Sequence, residues 1–134
     1  MAKTLLDLTN FYAMNFEDID GSKPFVSCKT VLCFVNNIYD EADILEHVEK
    51  SKKYDIKTFG FFGISKEQWE VVFRREYEGK DIQFIDGANH FNEMVINLDN
   101  WLSTADCDEV CLMLYDDREL YELLLVEMAN LQEE

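Results

Sequence analysis

Residues Thr30 to Asn36 read Thr-Val-Leu-Cys-Phe-Val-Asn, an unbroken β-branched and apolar run of the kind that lies buried on both faces of a mostly parallel sheet. A strand with no polar side needs helices above and below it, which restricts the chain to the α/β class. Ile56 to Phe62 and Glu109 to Tyr115 repeat the pattern. Asp81 to Ile85 is shorter and interrupted by Gln83, as suits an edge strand.

Helix-period segments separate these runs. Asp40 can cap a helix striped by Ile44, Leu45 and Val48, with acids early and lysines late, the order the helix dipole favours. Ser65 and Gln68 form a capping-box pattern ahead of Trp69, Val72, Phe73 and Tyr77. Phe91, Met94, Val95, Leu98, Trp101 and Leu102 make the cleanest stripe, and Asp116-Asp117 opens a last helix that runs to about Leu131. Before the first strand, Leu5, Leu8, Tyr12 and Phe16 stand at helical spacing, which predicts an extra N-terminal helix over Met1 to Phe16.

The expected fold is a single three-layer α/β/α domain over residues 1–134, with a mainly parallel four-stranded sheet of Rossmann-like or flavodoxin-like kind. A strand order of third, second, first, fourth buries the Thr30 strand centrally and leaves the polar strand at an edge. That order is preferred to second, first, third, fourth.

Charge bounds the function. The chain carries 12 basic and 28 acidic residues, a net charge of −16. Residues 1–80 hold 14 acids and 11 bases, whereas residues 81–134 hold 14 acids and Arg118 alone. Such a field repels nucleic acid and anionic membranes and steers basic partners in. No stretch near Met1 has the pattern of a secretory signal, and no apolar run approaches the roughly 20 residues of a membrane span, so a cytoplasmic protein without a membrane partner is expected.

The motif tests exclude several chemistries. No Gly-x-Gly-x-x-Gly or Gly-x4-Gly-Lys-Ser/Thr follows the first strand, so no glycine-rich backbone cradles a phosphate. Cys28, Cys33, Cys107 and Cys111 lack the Cys-x2-Cys spacing of zinc and redox sites, and buried strands use cysteine as a small hydrophobe. His47 lies on a charged helix, and Arg74 and Arg75 point away from their helix's apolar stripe without forming a nucleic-acid patch. The phenylalanines and tryptophans stand at core spacing and read as packing. No cofactor and no metal is implied.

Two site readings remain. Ligands of parallel sheets bind outside the carboxyl ends of the strands, which here offer Asn36, Asn37, Asp86, His90, Asp116 and Asp117. Asp86, Asp116 and Asp117 could hold a hard cation, but helix capping and an ordinary Asp-Gly turn explain them more simply. The alternative is the last helix. Leu123 and Val126 fall opposite its apolar face, set among Glu119, Glu122 and Glu127. An apolar anchor ringed by carboxylates suits a basic protein partner, a nucleic-acid-binding protein among the candidates, so the leading expectation is a non-enzymatic acidic binding module: an inhibitor, an immunity-type protein or a viral regulatory factor. A small-ligand binder or enzyme using the strand-end residues is the alternative, and the oligomeric state is left open.

Overall fold

The computed structural model describes residues 11–19, 28–85, 91–102 and 111–133. Its strands are β1 (Phe11–Asn15), β2 (Thr30–Phe34), β3 (Thr58–Phe62), β4 (Gln83–Ile85) and β5 (Cys111–Tyr115). The helices are α1 (Glu41–Ser51), α2 (Lys66–Glu76), α3 (Phe91–Leu102) and α4 (Arg118–Glu133), with a 3-10 turn at Phe16–Asp18. The sheet has five strands in the order β1-β5-β2-β3-β4, and every pairing is parallel. No helix among the described residues is long and apolar enough to cross a membrane.

All five residues of β2 are buried, as the unbroken apolar run requires. Its side chains alternate between two cores. Val31 and Cys33, with Val35 just past the strand, join Ile44 and Val48 of α1 and Trp69, Val72 and Phe73 of α2 on one face. Leu32 and Phe34 join Met94, Val95 and Leu98 of α3 and Leu124 and Met128 of α4 on the other. The chain steps from β2 to β3 to β4 through α1 and α2, then returns past β2 to β5 through α3. A single crossover hand puts the return helix on the opposite face, as observed. The described Phe16, Ile19 and Cys28, between β1 and β2, contribute to the first core.

The start of the chain departs from expectation. Phe11–Asn15, placed in an N-terminal helix by the spacing of Tyr12 and Phe16, is instead the strand β1, in register with β5 from Phe11 against Cys111 to Asn15 against Tyr115. The four-stranded sheet is therefore five-stranded. The physical reason lies in β5, whose Cys111 to Leu114 are buried; a fifth strand completes the ladder that β5 would otherwise leave open at an edge. Met14 and Ala13 then face opposite cores, the period of two that a strand imposes. Leu5 and Leu8 lie outside the described residues.

Aromatic rings fill the first core. The Phe61 ring packs 4.9 Å from Phe73, 6.2 Å from Phe59 and 6.4 Å from Trp69, centroid to centroid. Only 2% of Phe61 is exposed, and the neighbouring rings are too rigid to close a void. Phe61→Ala is expected to destabilise the protein by about 3–5 kcal/mol, measured by urea unfolding with an unchanged slope.

Candidate functional site

The strand order reverses between β2 and β5, where the chain leaving β2 goes to α1 on one face and the chain leaving β5 goes to α4 on the other. Parting loops at such a point open a crevice for ligands in many parallel sheets. Here the loops leaving β2 and β5 are tied to each other. Asp116 Oδ2 accepts hydrogen bonds from the backbone N–H groups of Asn36 and Asn37, both at 2.8 Å, and from the Tyr39 hydroxyl at 2.6 Å. Successive N–H groups of this kind are an anion cradle, and the anion they hold is this chain's own carboxylate.

The neighbouring loop is tied to the same point. The Ser65 hydroxyl donates to the Asn37 carbonyl, and Gln68 Nε2 donates to the Tyr39 carbonyl at 2.9 Å. This corrects the capping-box reading, because Ser65 makes no side-chain cap on α2. Both side chains reach across to the β2–α1 loop instead. Gly63 permits the approach: its φ is +106°, and a Cβ there would lie 2.3 Å from the Val35 carbonyl oxygen. On the clamped loops, Ile38 is 98% and Ile64 73% exposed.

Asp117 caps α4, its Oδ1 accepting from the Leu120 N–H at 3.2 Å. Two atoms at the clamp, Asp116 Oδ1 and Asn36 Nδ2, are buried without a hydrogen-bond partner in the described structure. Burial, then the hydrogen bond to Asp116, raises the Tyr39 hydroxyl far above the ordinary tyrosine range, so it remains a donor. Asp86 and His90 lie outside the described residues. Among the described residues, no three His, Cys, Asp or Glu side chains gather in a group able to hold a metal ion.

Cys28, Cys33 and Cys111 are buried and form no disulfide among the described residues. Burial pushes Cys28 up to about 11 and Cys111 up to about 12, the direction that suppresses a thiolate nucleophile. His47 is half-buried with its ring 4.9 Å from Phe16 and 5.2 Å from Trp69. The Arg74 guanidinium carbon lies 4.5 Å from the Phe84 ring centroid, across on β4.

The last helix presents the other set of residues. Leu124 and Met128 are buried, while Leu123 is 45% and Val126 54% exposed. Glu119 and Glu122 are exposed and Glu127 is half-buried. Arg118 pairs with Glu122 at 3.2 Å, the one ion pair among the described residues of α3 and α4. The opposite face differs. Arg75 bridges Glu41 and Glu76 at 2.8 and 3.2 Å, Arg74 and Lys66 share Glu70 at 2.8 and 3.4 Å, and Lys52 lies between Glu49 and Glu76 at 3.7 and 3.8 Å. Exposed pairs add little stability, yet they cancel charge locally.

Sequence reasoning missed Tyr39. Its hydroxyl is bonded to a residue 77 positions away, and nothing in the local pattern marks that pairing. The chain matches no protein-family model, no curated protein and no solved structure.

Two outcomes test whether the Asp116 cluster is a structural clamp. Asp116→Ala leaves three donors without their acceptor and is expected to cost about 3 kcal/mol, against roughly 1 kcal/mol for Asp116→Asn, in thermal or urea unfolding. A strained functional carboxylate would show the reverse, with the Ala variant as stable as the parent. Tyr39 keeps its proton in the folded state to higher pH than in the unfolded chain, where it titrates near 10.0. Its contribution to stability is therefore complete below that value and is lost as the pH rises beyond it. Tyr39→Phe should flatten part of the alkaline loss while lowering stability at neutral pH.

Proposed function

We propose that this chain is a non-enzymatic acidic binding module that docks a basic protein through α4, in an inhibitory or regulatory role. One observation carries the reading: Leu123 and Val126 stand exposed on a helix whose Glu119 and Glu127 have no ion-pair partner among the described residues. A cation approaching Glu119 or Glu127 displaces no internal counterion among the described residues. An aliphatic side chain of the partner can meet Leu123 and Val126 while its lysines or arginines meet the surrounding carboxylates. Ile96 on α3 is also exposed, on the same side of the sheet.

The scaffold fits a three-layer, Rossmann-like arrangement, supported by the two cores on either face of the sheet. Cysteines outside disulfides among the described residues suit a reducing cytoplasm. Net charge of −16 argues against direct contact with nucleic acid or anionic lipid. Small-ligand chemistry at the carboxyl ends of the strands is the weaker reading, because the main-chain donors expected there are occupied by Asp116.

The test is capture from the native cell lysate on the immobilised chain at about 50 and 300 mM salt, with Leu123→Asp and a Glu119→Gln, Glu122→Gln, Glu127→Gln triple variant as controls. The expected result is one stoichiometric basic polypeptide, retained at low salt, released at high salt and lost with either variant while circular dichroism is unchanged. Absence of such a polypeptide, or retention indifferent to salt and to both variants, would remove the docking assignment.

A further inference from the structure

An opening lies at the other end of the sheet from the clamp, beyond the amino ends of β3 and β4. It is a cavity of about 490 Å³, within the usual span of small-molecule sites. The segments that follow α1 and α2 form its walls. Tyr54, Tyr77, Ile56 and Ile82 supply apolar surface, and Lys52, Lys57 and Lys80 supply cations.

Three features give the cavity a chemical preference. The first is the sign of its charge. The lining holds three lysines against Asp55 and Asp81, in a chain whose net charge is −16. Asp55 is neutralised twice over, by Lys29 at 2.8 Å and Lys57 at 2.9 Å, and these bonds hold its carboxyl down at about 2. Lys52 is shared with Glu49 and Glu76, but Lys80 has no ion-pair partner among the described residues.

The second feature is Tyr77. It is only 9% exposed, and its buried hydroxyl has no hydrogen-bond partner in the described structure. A buried donor left this way is costly unless something else accepts from it. The third is the pairing of rings and ammonium groups: Lys52 Nζ lies 5.9 Å from the Tyr77 ring centroid, so aromatic surface and positive charge occur side by side.

We propose that this cavity binds a small anion carried on a planar apolar body, an aryl or heteroaryl phosphate or carboxylate. The body lies against the tyrosine and isoleucine walls, the anionic group meets Lys57 and Lys80, and an oxygen of the ligand accepts a hydrogen bond from the Tyr77 hydroxyl. The site is separate from the α4 face and does not depend on protein docking there.

Phenyl phosphate titrated into the full chain, followed by amide chemical shifts, is the test. Saturable shifts confined to residues 52–57 and 77–82 are expected, with inorganic phosphate and benzylamine each binding more weakly. Lys80→Glu should weaken phenyl phosphate at least about fivefold, the scale of one exposed ion pair. Tyr77→Phe should weaken it about threefold while leaving the unfolding midpoint unchanged or raised, because it deletes an unpartnered hydroxyl. Benzylamine binding as well as phenyl phosphate, shifts scattered over every exposed lysine, or full affinity in Lys80→Glu would each overturn the proposal.

Discussion

The carboxylate of Asp116 determines what the carboxyl edge of the sheet can be. At that edge β2 and β5 send their chains to opposite faces, and beyond the Asp116 N–H bond to the Phe34 carbonyl at 3.3 Å something must join the loops that diverge there. Asp116 does so by accepting from two consecutive main-chain N–H groups and one phenol. A charged acceptor serving three donors is worth far more than any surface ion pair on this protein. Ser65 and Gln68 extend the tie to the β3–α2 loop, and Gly63 lets the two loops approach. Three connections that could have framed a ligand crevice are instead fastened together, with Ile38 and Ile64 projecting from them.

With those main-chain donors taken up, surface charge carries the functional argument. The two helical faces both contain many acids, but they handle them differently. On α1 and α2, arginine and lysine sit within reach of Glu41, Glu70 and Glu76, so an incoming cation must compete with an existing partner. On α4, Glu119 and Glu127 face no such competition among the described residues. Attraction to an external cation therefore depends less on total charge than on which carboxylates lack internal counterions.

The elements most legible in the sequence were those buried on two sides. Thr30–Phe34, Thr58–Phe62 and Cys111–Tyr115 are strands because continuous apolar runs leave the chain no other arrangement, and Gln83 correctly marks β4 as the edge. The wheel of the last helix also separates Leu124 and Met128 from Leu123 and Val126 as the structure does. Phe11–Asn15 was illegible because its partner strand is about 100 residues away and its few apolar side chains also satisfy a helical period. Ser65 and Gln68 misled for a related reason. The local pattern describes a cap, whereas the atoms that accept from these side chains belong to another loop. Asp117 shows the opposite case, a cap whose donor lies three residues on and is visible locally.

Helix direction explains why the cavity is basic in so acidic a chain. In a parallel sheet joined by helices, every helix runs against the strands, so helix amino ends gather at the carboxyl edge and helix carboxyl ends at the amino edge. Dipoles favour acids at the former and bases at the latter. All four helices carry an acid in the first turn, but only α1 and α2 carry bases in the last: Lys50, and Arg74 with Arg75. The amino edge beneath α1 and α2 is thus the one quarter of the described molecule where the dipole rule and the sequence both favour cations. Lys52, Lys57 and Lys80 line the cavity in that quarter. Helix dipoles alone, however, would be satisfied by lysines on a closed and featureless surface. They do not account for a tyrosine buried with its hydroxyl unpartnered or for an apolar recess between the lysines, and these are the features that a bound aromatic anion would explain.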